Sequence, residues 1–374
     1  MEATYHGSAF LYRLLADYPH EKLTVIETAT RSQPERRLRN VNYISHPISK
    51  QRWLNTRFHR YALSWFTRSA DRFAPRISQS LNGFSFESVL TVAHGFGWLT
   101  AARIARERNV PLHLMVHDDW PRAANVTAGF RQRLDRRFAN VYRQAKSRLC
   151  VSPAMSRSYH ERYGKPADVI YPSRAPACPE FKEPPTQLSR NDRPFTIAFA
   201  GTINSNGYVR ALLALQEALK PVGGRLLIFG PLTPIEAKQV GLNSTTAVCG
   251  LLSSSELMIR LRDEADALFI PMSFDPRDCV NMQLAFPSKL ADCTAVGLPL
   301  LIYGPSYCSA VVWARENPDV AEVVEREEGL GEAIGRLAQS PDLRVTLATR
   351  ALEVGREYFS YDRVQEVFNQ SLSV

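Results

Sequence analysis

The segment Phe286-Pro287-Ser288-Lys289-Leu290-Ala291-Asp292-Cys293-Thr294-Ala295-Val296-Gly297-Leu298-Pro299 concentrates residue types that can bind an anion and a diol. Pro287 suits the first turn of a helix and Gly297 its C-terminal cap, so the spacing predicts a helix over Ser288 to Val296, about three turns. The start of such a helix offers unpaired backbone N–H groups, which fit an anion such as a diphosphate. Ser288 adds a hydroxyl and Lys289 a charge. Asp292 lies one turn after Ser288, where it would face the same cleft and accept hydrogen bonds from a ribose. Pattern alone leaves a second reading open, in which Lys289 and Asp292 are surface charges.

A second cluster stands in Leu114-Met115-Val116-His117-Asp118-Asp119-Trp120-Pro121. It puts a histidine and two carboxylates at the carboxyl end of a strand, where catalytic groups gather in open parallel sheets. An imidazole there would orient an acceptor hydroxyl or stabilise developing charge, with Asp118 beside it. A structural histidine among aspartates is the alternative. His94, in Ala93-His94-Gly95-Phe96-Gly97, ends the preceding strand and is a further candidate for the same cleft. The six cysteines show no CxxC pair that would suggest zinc or redox chemistry.

These groups need elements to position them. Leu23 to Thr28, Ser88 to Ala93 and Leu112 to Val116 read as strands with helical patterns such as Leu99 to Arg108 between them. A second alternation runs Thr196 to Ala200 (strand), Tyr208 to Leu219 (helix), Arg225 to Phe229 (strand), Ser255 to Glu264 (helix), Ala267 to Pro271 (strand), Ser288 to Val296 (helix) and Leu300 to Ile302 (strand). The fold class is therefore α/β with two doubly wound parallel-sheet domains, and the cleft between such domains is the expected active site. Pro-, Ser- and charge-rich sequence around Pro172 to Pro194 marks the linker, giving domains 1–185 and 186–360 and a final helix, 361–374, that returns to the first domain. Tyr5-His6-Gly7-Ser8 reads as a loop entering a helix over Ala9 to Asp17, with no apolar strand before it. A doubly wound sheet normally centres on that strand, so the expectation is an upstream start or an unusual local topology.

Composition limits the classes. With 45% hydrophobic and 22% charged residues the chain is an ordinary globular protein, not a disordered or fibrous one. Its longest apolar runs, Ala265 to Met272 and Leu298 to Tyr303, are far below the roughly 20 residues that cross a bilayer. No export signal is visible near Met1, so the expected location is cytoplasmic. Through Pro185 there are 29 Lys+Arg against 15 Asp+Glu, about +14, and the remaining 17 against 22 give about −5. The basic first half suggests an anionic partner, among them the inner face of a membrane. Arg52 to Arg76 interleaves Trp53, Phe58, Tyr61, Trp65, Phe66 and Phe73 with Arg57, Arg60, Arg68 and Arg72. That pattern fits a basic amphipathic helix on a membrane, or an aromatic face packed into the core with its arginines in solvent. A further cationic cluster, Arg131, Arg133, Arg136, Arg137 and Arg143, follows the His117 loop.

The Phe286–Pro299 segment resembles the donor-binding element of retaining GT-B glycosyltransferases of the family 4 type, in a Phe-Pro-Ser-Lys variant. The likeness extends through Val151-Ser152-Pro153-Ala154-Met155 before a Tyr163-Gly164 turn, Ala200-Gly201-Thr202, and a closing helical stretch Leu343 to Phe359. It implies a hexosyltransferase-like, metal-independent enzyme without a cofactor, using a nucleotide-diphosphate sugar as donor and a glycan or lipid-linked acceptor in polysaccharide or glycoconjugate synthesis. By resemblance, Gly7, Gly201, Thr202, Arg210, Pro287, Ser288, Lys289 and Asp292 hold the donor, and His117 lies near donor sugar and acceptor. Two positions depart from the pattern: the first acid of the family's Glu-x7-Glu pair falls on Leu284, and the nearest cation after the Gly201 loop is Arg210, already inside a helix. A nucleotide-sugar epimerase and a non-catalytic binder of sugar nucleotides or other anions are the alternatives; nucleic acid is not favoured, since no recognised motif accompanies the charge.

Overall fold

The computed structural model describes residues 6–28, 37–47, 53, 56–203 and 205–373; Tyr5 and Arg52, which figure in the motifs above, lie outside them. The chain divides into two compact units, Met1–Tyr171 with Val364–Val374, and Pro172–Arg363.

In the first unit the strands are β1 (Thr24–Glu27), β2 (Asn42–Ser45), β3 (Val89–Val92), β4 (Leu112–Val116), β5 (Ser147–Cys150) and β6 (Asp168–Val169). β3-β4-β5-β6 form one parallel sheet, and β1 pairs in parallel with β2 as a separate ribbon. β4 is buried along its length because both faces are covered, hence its unbroken Leu-His-Leu-Met-Val run. The helix Pro153–Tyr163 shows how local sequence fixes the frame. Ser152 Oγ accepts the Met155 N–H at 3.0 Å, Pro153 needs no partner in the first turn, and Gly164 closes the end at φ 72°. The helix Tyr361–Leu372 brings Val364 and Phe368 into the core of this unit beside Leu14, Met115 and Leu149, and Gln365 Nε2 donates to the Leu14 carbonyl at 2.6 Å.

The second unit holds β7 (Thr196–Ala200), β8 (Arg225–Phe229), β9 (Thr246–Gly250), β10 (Ala267–Pro271), β11 (Leu300–Tyr303) and β12 (Ala321–Val324), all parallel in the order β12-β11-β10-β7-β8-β9. Ile197, Phe199, Leu226, Ile228, Phe269 and Leu301, alternate residues of four strands, pack against Leu212, Leu215 and Leu219 of the helix Asn206–Leu219 and Ala333, Ile334 and Leu337 of Leu330–Gln339. Winding reverses between β7 and β10, which opens a crevice at the carboxyl ends of the strands; ligands of doubly wound sheets bind there.

Three local expectations differ from the structure. Residues 172–185 pack with the second unit: the buried Arg174 guanidinium donates to the Ala291 carbonyl at 3.2 Å and to Thr294 Oγ1 at 3.3 Å, and its backbone N–H to the Phe359 carbonyl. Those same contacts shorten the helix expected over Ser288 to Val296 to Lys289–Cys293. With the Ala291 carbonyl taken by Arg174 and Thr294 Oγ1, the next N–H groups bond three residues back, Ala295 to Asp292 and Val296 to Cys293, and the chain tightens toward Gly297. At the start, the first helix spans His6–Leu14, so Gly7 belongs to its first turn rather than to a loop.

Candidate functional site

At the carboxyl ends of β7, β8 and β9 lies a pocket of about 200 Å³ within the second unit. Gly201 and Thr202 line it after β7, Gly230 and Pro231 after β8, Gly250 and Leu251 at the end of β9, and Ser288, Lys289 and Asp292 close one side. The spacing of Lys289 and Asp292 on one short helix accounts for their shared face.

Lys289 and Asp292 are the charged residues of this pocket, and the lysine is the one whose charge is buried. Its Nζ is out of contact with water and has no hydrogen-bond partner among the described residues. The ammonium sits 4.0 Å from the centroid of the Phe199 ring and 5.0 Å from that of Tyr208, and these faces offset part of its lost hydration. Burial pushes its pKa down to about 8, with the nearby Cys293 thiol acting weakly the other way. A buried ammonium without a hydrogen-bond partner is a costly arrangement, and a phosphate in the pocket would supply a charged one.

Gly201 makes room for it. Its φ is +145°, and a Cβ there would fall 2.6 Å from Lys289 Nζ; a Cβ on Gly230 would in turn collide with the Gly201 carbonyl. Gly201→Ala is therefore expected to lose about 1–3 kcal/mol of stability from backbone strain and to displace the ammonium. A melting curve and a nucleotide titration of that variant check both parts.

Arg210 is placed differently. Its Nη2 lies 3.0 Å from Asp275 Oδ2, outside the pocket lining. Asp275 is held well below the usual carboxylate range, first by Arg277 and then by Arg210. Ser288 is exposed at the mouth, and Pro287 precedes it without lining the pocket. Leu284, 4% exposed, is a core residue on the helix Cys279–Leu284, so no acid stands at that position.

In the first unit, His117 follows β4, its ring 5.3 Å from that of Phe10 and tilted against it. Its Nε2 is buried with no hydrogen-bond partner among the described residues. Burial lowers its pKa to about 4, helped by His94, so the imidazole is neutral near pH 7. Asp118 faces His94, Oδ2 to Nδ1 3.7 Å. Asp119 is used by the fold: 3% exposed, it accepts from Tyr159 Oη at 3.0 Å and from Arg162 Nη1 at 2.9 Å. Trp120 was legible in the motif but had no chemistry assigned to it; its ring lies 4.6 Å from that of His94, and its Nε1 is buried and also unpartnered among the described residues. Gly7 stands in the helix that carries Phe10. The ends of β8 and β9 give a signal in the sequence only through their glycines, Gly230 directly after β8 and Gly250 as the last residue of β9.

Among known proteins, residues 11–173 match the family model of Glycosyltransferase Family 4. No curated protein matches in sequence. Solved structures are similar over nearly the whole chain. HepE from Anabaena in complex with UDP and glucose is 13% identical, TM-score 0.69, covering 99% of this chain and 96% of its own. A sucrose-phosphate synthase from Thermosynechococcus elongatus is 15% identical, TM-score 0.65, with 97% and 91% covered. A glycosyltransferase from Rickettsia africae is 14% identical, TM-score 0.64, with 93% and 90% covered. The fold is that of GT-B glycosyltransferases, as the resemblance implied.

Proposed function

We propose that this chain, GT-B in fold and matching Glycosyltransferase Family 4 over residues 11–173, transfers a sugar from a nucleoside-diphosphate donor in the second unit to an acceptor met by the first. The observation that carries this reading is the Lys289 ammonium, buried in a pocket at the carboxyl ends of the strands against aromatic faces, with no hydrogen-bond partner among the described residues. In this reading Lys289 compensates the donor diphosphate and the charge that grows on it as the sugar leaves. The glycines at 201 and 230 let the backbone approach the phosphates, and Asp292 accepts from the ribose. HepE, solved with UDP-glucose, favours a uridine donor.

His117 contributes as a neutral imidazole that holds the acceptor hydroxyl or the departing sugar's hydroxyls, with Asp118 setting the neighbouring His94. As the bond from the sugar's anomeric carbon to the diphosphate breaks, the acceptor oxygen bonds that carbon and its proton passes to an oxygen of the departing diphosphate. Retention, independence of metal and a glycan or lipid-linked acceptor in polysaccharide or glycoconjugate synthesis belong to the same reading and rest on the resemblance.

The test is a thermal-shift screen against UDP, GDP, dTDP, ADP and CMP and their sugar conjugates. A ligand at 100 times its Kd adds about 2.7 kcal/mol to stability, a rise of several degrees, and this rise is expected for one nucleotide class and lost in Asp292→Ala. No shift with any of them would refute donor binding. Turnover of a nucleotide sugar to its epimer without an acceptor would replace transfer by epimerisation.

A further inference from the structure

The stretch that interleaves aromatics and arginines has two faces, and the structure separates them. On the helix His59–Ser69, Phe66, Thr67 and Ser69 are buried, with Phe66 packed 5.7 Å from Phe96. The opposite side carries Phe58, Tyr61 and Trp65 at 49%, 67% and 61% exposure, with Trp53 at 50% just before it. These large rings lie in water, so the alternative of an aromatic face sealed in the core does not hold for them.

Spacing and charge give the surface its character. Positions 58, 61, 65, 68 and 72 advance by three and four residues, so Phe58, Tyr61, Trp65, Arg68 and Arg72 follow one stripe along the helix and its continuation. Between residues 56 and 86 the chain has five arginines, Arg57, Arg60, Arg68, Arg72 and Arg76, all exposed, and one carboxylate. That carboxylate, Asp71, is bound by Arg137 at 3.2 Å, and Arg137 also donates to the Thr67 carbonyl at 2.9 Å. The helix is thus fixed to its unit from behind, and the outward cations are left unneutralised by acids of their own segment.

We propose that this face docks on an anionic lipid bilayer, with Phe58, Tyr61 and Trp65 entering the headgroup region and the arginines contacting lipid phosphates. Tyrosine and tryptophan suit that depth because one end of each ring is polar and the other apolar. Charge decides against a second copy of the chain as the occupant, since two such faces would press guanidinium groups together. No helix among the described residues is long and apolar enough to cross a membrane, so the contact is a surface one. This docking is independent of the transfer reading: it concerns the first unit and is measured without a donor.

Flotation of the full chain with vesicles tests it, comparing phosphatidylcholine alone with a mixture containing phosphatidylglycerol. Binding is expected to the mixture, to weaken as salt rises, and to fall about tenfold or more in both Tyr61→Ser/Trp65→Ser and Arg68→Glu/Arg72→Glu. Because all four side chains are exposed, both variants should melt as the parent does, which separates lost docking from lost folding. No flotation of the parent at low salt, equal binding to neutral vesicles, or retention of binding in both variants would overturn the proposal. A concentration-dependent dimer in solution that Trp65→Ser dissociates would also overturn it, by assigning the face to a second copy.

Discussion

Lys289→Met is expected to weaken nucleoside-diphosphate binding by roughly 10- to 150-fold, the range that 1.5–3 kcal/mol for a hydrogen bond to a charged group corresponds to. The same substitution is expected to raise the melting temperature of the free protein. Both effects follow from one fact: the ammonium is buried against Phe199 and Tyr208 with no hydrogen-bond partner among the described residues. Its folded pKa of about 8 lies below the ordinary 10.5, a difference that costs the fold about 3 kcal/mol at neutral pH. The unfolded chain holds the proton more tightly, so the cost is fully present below pH 8 and is relieved as pH climbs from 8 toward 10.5. Methionine fills a similar channel without the charge and removes the cost. Stability of the parent should therefore gain on that of Lys289→Met between pH 8 and 10, while nucleotide affinity of the parent declines over the same interval as the amine loses its proton. Calorimetric titration of UDP with melting curves at pH 7 and 9.5 reads both. Unchanged affinity in Lys289→Met would remove the lysine from the donor site.

How much of this was legible in the sequence differs by element. The inner strands β7, β8 and β10 were bounded to the residue, because a strand covered on both faces writes itself as an unbroken apolar run. β9 and β12 at the two edges of that sheet gave no such signal: Thr246–Gly250 and Ala321–Val324 are mostly half-buried and their sequences mix small, polar and apolar residues. Lys289 and Asp292 were recognisable as one face by their spacing, yet the shortened helix was not, since it depends on Arg174 reaching a carbonyl 117 residues away. Arg210 shows the same limit. Its engagement by Asp275 joins positions 65 residues apart, and no local pattern foretells it. Burial of the Lys289 ammonium has a like origin, in the approach of Phe199 and Tyr208 from a distant strand and helix. For the arginine-rich helix, periodicity identified two faces but not which one met the core; only packing of Phe66 on Phe96 decides that.

His117→Gln is expected to lower the transfer rate by about 10²–10³-fold, the usual contribution of one preorganised hydrogen-bonding group, without unfolding the protein. The imidazole differs from Lys289 in the direction of its acid–base coupling. Burial holds its folded pKa at about 4 against an ordinary 6.5, so it stays neutral where an exposed histidine would charge. The unfolded chain takes up a proton near pH 6.5 and the folded chain does not. Stability from this residue is thus complete above pH 6.5 and is lost as pH falls toward 4, amounting to about 3 kcal/mol. Glutamine keeps a polar group in the site but does not titrate, so the variant should resist acid unfolding better than the parent between pH 6.5 and 4. In the parent, this neutral form also predicts that His117 imposes no break in the rate profile between pH 5 and 8. A catalytic and a structural histidine are separated by reading the two measurements together. A catalytic one loses rate in His117→Gln at pH 7.5, where stability is unaffected by titration. A structural one shifts only the acid melting curve and leaves kcat as it was, because the unpartnered Nε2 would then have no substrate to meet.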